Sequence, residues 1–495
     1  MPTLDLLIDA VPGELRVAVM RDGALSDFLI DRNGQGSLVG GIYLGRVVRV
    51  VDTLDAAFVD IGDGRLALLN LAEARPWPPA GGERAGTRDR IGDYAREGDA
   101  VTVQVIADPL SGKGARLSAR PRIAGRLVLL EPGRGGPPVA DRGVSDGACD
   151  RLLAVAAGLV VGDRDEGIVM RAAADGAATD EITADLARTR QRLAHVEDAR
   201  ANARAPACLE GAPDAVHAAL ATLLAEAPHR IVAEGPDALA VVRKACAALA
   251  PQWLGRIEQA VPNAGMFDGA ALFDGAGVSE ALADAYRPVV PLADGGDIRL
   301  AVTHALIAVD VNSGAPDKGQ REQATFALNC RAADTVARLL RLRNEAGAVV
   351  VDFVPLRSRA KGRALVESVR ASFASDPVPV RIAGFGPLGF IELTRARRRA
   401  PLSAWLWRSS EGFASGVPSD AAAAFEAARR LASGADHVRA GAVLLRASPG
   451  VAVALERGVA APAFAWARQR AGRAIRVAAR PDAPDGWFDV GADGG

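Results

Sequence analysis

The chain has 495 residues, 49% of them hydrophobic, with 59 basic and 60 acidic side chains and a formal net charge of −1. The length implies two to four domains with real cores, and the balanced charge excludes a protein that captures polyanions by bulk charge. Charged residues interrupt every long apolar run, so no transmembrane helix is expected.

Met1 to Ala10 carries Asp5 and Asp9 and no basic segment, so it does not read as a signal peptide. The four cysteines, Cys149, Cys208, Cys246 and Cys330, form no Cys-x-x-Cys pair. That usage predicts a reducing, cytoplasmic location and no zinc site. Only four of the basic residues are lysine, an arginine richness that reflects a high-GC genome more than a function.

Strand-like runs at Leu4–Ala10, Leu15–Met20 and Phe28–Ile30 open the chain. From Gly40, short β-branched runs separated by glycine turns continue through Ile106 and close at Lys113–Leu117, the pattern of a small barrel. Arg75 to Arg96 interrupts it with a loop rich in Pro, Gly and Arg. A five-stranded barrel binds single-stranded nucleic acid through exposed aromatics and basic groups, here Tyr43, Phe58 and Lys113. Tyr43 and Phe58 serve equally well as barrel core.

Two later runs each end in aspartate: Leu306–Asp310, followed by Val311, Asn312, Ser313 and Gly314, and Ala348–Asp352, followed by Phe353. Both read as strands buried on both faces, with ligands expected at their carboxyl ends. Between them, Gln323–Arg343 has helical apolar spacing without Gly or Pro and ends in Arg before Gly347. Strand, helix, strand predicts a parallel pair with Asp310 and Asp352 at one sheet edge. Two carboxylates there suit a hard cation that keeps several waters, Mg²⁺ above all, with Mn²⁺ as a substitute; alternatively, each aspartate caps the turn after its strand. From Arg357 to Arg399, ten basic residues stand against Glu367, Asp376 and Glu392, which reads as a phosphate-backbone track beside that edge or as a solvated face.

Several ordered motifs resemble the ribonuclease E/G family. Gly40–Val47 with Ala56–Gly62 looks like its S1 domain, and Val103–Leu117 resembles the end of that domain. Ala308–Gly314, Asn329–Arg343 and Val350–Phe353 resemble its catalytic core, which Glu392–Arg397 closes. The likeness runs in order over residues 1 to about 400, and a weaker strand-helix-strand likeness in 440–480 resembles the small C-terminal domain.

The resemblance implies an α/β multidomain fold. An RNase H-like scaffold at 1–37 and 206–287 is interrupted by an S1, OB-type barrel at 38–118 and a 5′-sensor segment at 119–205. A DNase I-like catalytic domain follows at 288–400, then a linker and a small α/β domain at 401–495. It places metal binding and catalysis on Asp310 and Asp352, oriented by Asn312. It places RNA contacts on Phe58 and Lys113, and 5′-monophosphate sensing on Arg171. It thus implies a Mg²⁺-dependent endoribonuclease that cleaves single-stranded RNA in processing or decay, with no membrane partner.

The chain also departs from the family pattern. The Cys-x-x-Cys link is missing, Ala400–Trp407 standing there instead, so zinc is not expected and any homodimer is held otherwise. Ala172 replaces a threonine beside the sensing arginine, Pro379 a second pocket arginine (with Arg381 two residues on) and Leu68 a second S1 aromatic. His304 and Pro355 replace acidic residues near the metal aspartates; His304 reads as a proton shuttle or a structural group. Trp405 and Trp407 either make an apolar contact in place of the zinc link or pack on the small domain. These changes imply weakened monophosphate sensing, and they keep open two further readings: an RNA-binding paralogue with little or no catalysis, and a nuclease for another nucleic acid.

Overall fold

A computed structural model describes residues 3–492, except 34–35, 77–88, 111, 142, 161–164, 224–225, 261–270, 294, 315–320, 411–412, 435–442 and 473. Much of the loop expected at Arg75–Arg96 lies outside the described residues.

The first sheet joins distant parts of the chain. Its strand order is Ile257–Ala260, Arg230–Glu234, Leu4–Val11, Glu14–Arg21, Ala24–Arg32. The three N-terminal strands are antiparallel, as their short turns allow, and the two later strands run parallel to Leu4–Val11. Its two faces carry different cores. One buries Leu6, Ile8 and Val17 under the helices Ala215–Thr222 and Pro236–Leu249. The other buries Leu7, Phe28 and Val232 against Leu272, Phe273 and Leu282.

Between these parts the chain forms the barrel. Ile42–Val51, Ala56–Asp60, Leu66–Asn70, Arg116–Ser118 and Ala100–Ala107 pair in that order, and the last pairs back with the first. Closure removes the sheet edges. Its interior holds Val47, Val59, Leu69, Val103 and Leu117. Tyr43 joins that interior, only 8% exposed, so it is core and not a stacking surface. A small four-stranded sheet follows, covered by Asp146–Gly158 and the 24-residue helix Thr179–Asn202.

The third large sheet has the order Val290–Pro291, Asp297–Val302, Ile307–Asn312, Gly347–Asp352, Ile391–Arg395, Val380–Phe385. The helix Arg321–Leu342 packs Leu328, Val336 and Leu340 on it, and turns Leu339 and Leu342 to the first sheet. Arg341 donates to both Asp27 carboxylate oxygens at 2.6 and 2.8 Å. One helix thereby fixes the two sheets to each other.

The C-terminal residues form a small α/β layer: Val443–Ala447 lies parallel to Ile475–Ala479, with three helices on it. The short acidic, Gly-rich end from Asp482 contributes the strand Phe488–Ala492. This layer docks on the Val11–Glu14 turn. Gly13, at φ +95°, lies where a Cβ would sit 3.5 Å from the Phe425 ring. Arg429 donates to Asp9 at 2.6 Å and to Glu14 at 2.8 Å, all three buried. Trp405 packs on the core of the first sheet and Trp407 lies edge-on to Tyr286, with ring centroids 5.4 Å apart. Both tryptophans therefore turn to the body of the protein.

Candidate active site and nucleic-acid interface

Asp310 and Asp352 stand directly opposite each other on adjacent parallel strands, in the register Ala308–Val350, Val309–Val351, Asp310–Asp352. The continuous apolar text predicts burial on both faces, but burial alternates along both strands. Val309, Val311, Val349 and Val351 face the helices; Ala308, Asp310, Val350 and Asp352 take the other face, where both aspartates are exposed. The sheet is covered by helices on one side, and the carboxylates emerge on the open side.

Neighbours define their setting. Asn312 Nδ2 donates to Asp310 Oδ2 at 2.9 Å and to Asp297 Oδ1 at 3.2 Å, so the amide holds two carboxylates. Arg299 pairs in register with Asp310, and its Nε lies 3.6 Å from Asp297. Among the described residues no group of three or more His, Cys, Asp and Glu is close enough to hold a metal ion. Two exposed carboxylates side by side still fit Mg²⁺, which binds through one or two carboxylates while keeping its waters for a phosphate.

A residue the sequence reading passed over supports Asp352. Asn329, fully buried on the long helix, donates from Nδ2 to the Val354 carbonyl at 2.8 Å and accepts from Val354 N–H at 3.2 Å. The segment leaving Asp352 is thus pinned two residues on. Its signals in the sequence are an amide at an apolar position of the helix and its place at the start of the segment that resembles the catalytic core.

His304 sits in the turn Thr303–Leu306, at the opposite end of its strand from Asp310. Ile307 to Asp310 alone spans roughly 10 Å. That distance removes the proton-shuttle reading and leaves the structural one.

A second carboxylate pair throws the first into relief. Asp9 and Glu234 face each other on parallel strands in the first sheet. Arg16 donates to Asp9 at 2.7 Å, beside Arg429. Burial works to raise the Asp9 carboxyl, but Arg429 and Arg16 outweigh it and hold it below the usual range. Glu234 is pushed up by burial and then by the Asp9 charge. Guanidinium groups occupy the place a cation would take there, whereas Asp310 and Asp352 open to solvent.

On the barrel, Arg49, Phe58, Leu68 and Arg116 form one cross-strand row over four strands. Arg49 and Arg116 are exposed, Phe58 and Leu68 half-buried. Lys113 is exposed in the turn before Arg116. That turn lies on the barrel because Gly114 has no side chain: a Cβ would come 1.8 Å from the Leu66 carbonyl oxygen. Arg116 continues into a cleft of about 350 Å³ between barrel and third sheet, lined also by Arg120, Arg122, Arg397, Arg398 and Glu73. This cleft lies at the Arg395 end of the sheet, paired with Gly347 and five residues along the strand from Asp352, roughly 17 Å away.

Arg171 is elsewhere and engaged. Its Nη1 donates to the Gly125 carbonyl at 2.5 Å, and burial lowers its pKa against the pull of Asp141 and Asp185. The basic run Arg357–Arg399 also divides. Arg357, Arg359, Arg363 and Arg370 border a cleft beside Asp352, Arg395 is buried against Asp376 at 2.8 Å, and Arg397 and Arg398 reach the distant cleft. It is two separate basic surfaces, not one track.

The ribonuclease E/G family model matches residues 122–398. Ribonuclease G of Salmonella typhimurium and that of Escherichia coli K12 are each 30% identical to this chain over 402 residues, covering 80% of both partners. Ribonuclease E of a Nostoc species is 30% identical over 363 residues, 73% of this chain and 51% of its own length.

Proposed function

This chain belongs to the ribonuclease E/G family, and from that premise we propose that it is a Mg²⁺-dependent endoribonuclease that cuts single-stranded RNA and discriminates weakly at the 5′ end. The observation that carries the proposal is the register-paired, solvent-open Asp310 and Asp352. These two would hold the ion, which when bound supplies Lewis-acid charge neutralisation at the scissile phosphate. Asn312 keeps the Asp310 carboxylate turned outward. Asn329 holds the backbone after Asp352, so that this carboxylate meets its partner without reorganisation.

Phe58 and Leu68 offer apolar surface to unstacked bases, and Arg49, Arg116 and Lys113 offer charge to the backbone. A duplex cannot splay its bases in this way, which favours single strands. The first sheet joins strands of 4–32 to strands of 230–260, which supports reading 1–37 and 206–287 as one RNase H-like scaffold; the separate sheet formed by strands of 290–395 supports reading 288–400 as the DNase I-like catalytic part. Engagement of Arg171 with Gly125, together with Ala172 and Pro379, supports weak monophosphate sensing.

One observation favours the paralogue reading: Arg299 is register-opposite Asp310 and competes with a metal for the Asp297–Asp310 side of the site. The deciding experiment is cleavage of an A/U-rich single-stranded RNA in Mg²⁺, beside Asp352→Asn. Cutting by the native protein alone supports the nuclease. RNA binding without cutting by either protein supports the paralogue.

A further inference from the structure

A cleft of about 830 Å³ opens beside the carboxylate pair, and Asp352 itself forms part of its wall. It lies between the helix Arg359–Ser372 and the turn that joins Val380–Phe385 to Ile391–Arg395. Its size falls in the range of sites that enclose small molecules.

The lining has two chemistries. Leu365 is buried and Val366 partly so, giving an apolar floor; Phe385, 46% exposed, and Leu388, 81% exposed, stand at the rim. An exposed aromatic beside an exposed leucine, with no described apolar partner covering them, is a flat apolar surface facing solvent. The Phe385 ring leans on the helix at Gly362, its Cε2 3.7 Å from where a Cβ would stand. Around this surface, Arg357, Arg359 and Arg363 are exposed. Among the described residues only Arg370 of the lining arginines has a carboxylate partner, Glu367.

An apolar plate ringed by guanidinium groups matches a nucleotide: a base with a π-face and an anionic backbone. A protein segment of the same fit would need both an apolar side chain and several acidic ones. We infer that this cleft holds the nucleotide next to the scissile phosphate, with its base stacked on Phe385 and its phosphate met by the rim arginines. The inference rests on the RNA-cleaving reading of the Asp310–Asp352 pair and extends it to a subsite of that pair. Phe385 positions the base by stacking and takes no part in the bond-breaking step.

The test uses a single-stranded RNA with 2-aminopurine at successive positions, bound to the full chain in EDTA so that binding is read without cleavage. The native protein should quench one position, adjacent to the bond it cuts in Mg²⁺. Phe385→Tyr should keep the quenching. Phe385→Leu, which retains the apolar contact with Gly362, and Phe385→Ala should abolish it and weaken binding about tenfold. Unchanged thermal melting of Phe385→Leu separates this from loss of fold. Cleavage in Mg²⁺ with no quenched position, or quenching indifferent to Phe385→Leu, overturns the cleft assignment alone. Quenching that depends on Phe385 without any cleavage supports the cleft and overturns the nuclease reading. Absence of RNA binding overturns both.

Discussion

Asp310 and Asp352 meet at the same rung of a parallel ladder, and Asn312, two residues beyond Asp310, donates to its carboxylate. Two anions side by side repel unless a cation joins them. In the first sheet the equivalent rung, Asp9 and Glu234, is answered by Arg16 and Arg429. On the open face of the third sheet, that is the place proposed above for a metal ion.

Asn312→Ala should lower cleavage about 10–100-fold, the usual effect of removing a group that orients a metal ligand. Asp310→Asn should cost at least as much. Both positions are solvent-facing, so melting temperatures should stay near native. Steady-state rates across a Mg²⁺ titration check this, since Asn312→Ala should also need more metal.

Asn329→Leu should destabilise the protein as well as slow it. The substitution strands the N–H and C=O of Val354, at about 1–3 kcal/mol for each buried group left unsatisfied. Urea denaturation measures the loss, and an unchanged midpoint would contradict the clamp.

Arg429→Ala should cost about 3–5 kcal/mol, because it leaves the buried Asp9 and Glu14 short of a partner. The Asp9 carboxyl is held below its ordinary value of 3.8, so its contribution is complete above that pH and fades as pH falls through the lower folded value. The native protein should therefore lose stability in acid over this window more steeply than Arg429→Ala does, as read by denaturation at stepped pH.

Glu345 shifts the other way. Burial raises its carboxyl from 4.5 to about 7, against the opposing pull of Arg343, Arg397 and Arg395. The folded state then binds the proton more tightly than the unfolded chain. Stability falls as pH rises from about 4.5 to about 7, and levels off above. Glu345→Gln should remove that slope and stabilise the protein at neutral pH, which the same titration detects.

Arg116→Ala should weaken RNA binding uniformly across sequences and reduce the salt slope by about one charge. Phe58→Ala should weaken it by about 1–3 kcal/mol with the slope intact. Binding isotherms at three salt concentrations separate the two effects. Because Arg171 is held by Gly125, 5′-monophosphate and 5′-hydroxyl substrates should be cut at similar rates.

The strands carrying Asp310 and Asp352, the helix between them and the barrel were legible because each is a local pattern of apolar spacing and turn residues. The last strand, Phe488–Ala492, was missed because its text is short and rich in Gly and Asp; only pairing with Val443–Ala447 makes it a strand. Tyr43 and Phe58 looked alike in the text, yet closure of the barrel turned one inward and left the other half-exposed.

The sequence by itself determined the local order: strand, helix, strand, with an acid at each strand end and an amide two residues beyond the first. Tertiary structure decided which carboxylates are available. Ala308 and Val350 are as apolar as a core demands, so the text hides the open face, and only the packing of helices on one side exposes Asp310 and Asp352. Likewise Asp9 is silenced by Arg429, 420 residues away along the chain. Backbone pattern is set by neighbours within a few residues, whereas the charge a carboxylate meets is set by whatever the folded chain brings against it.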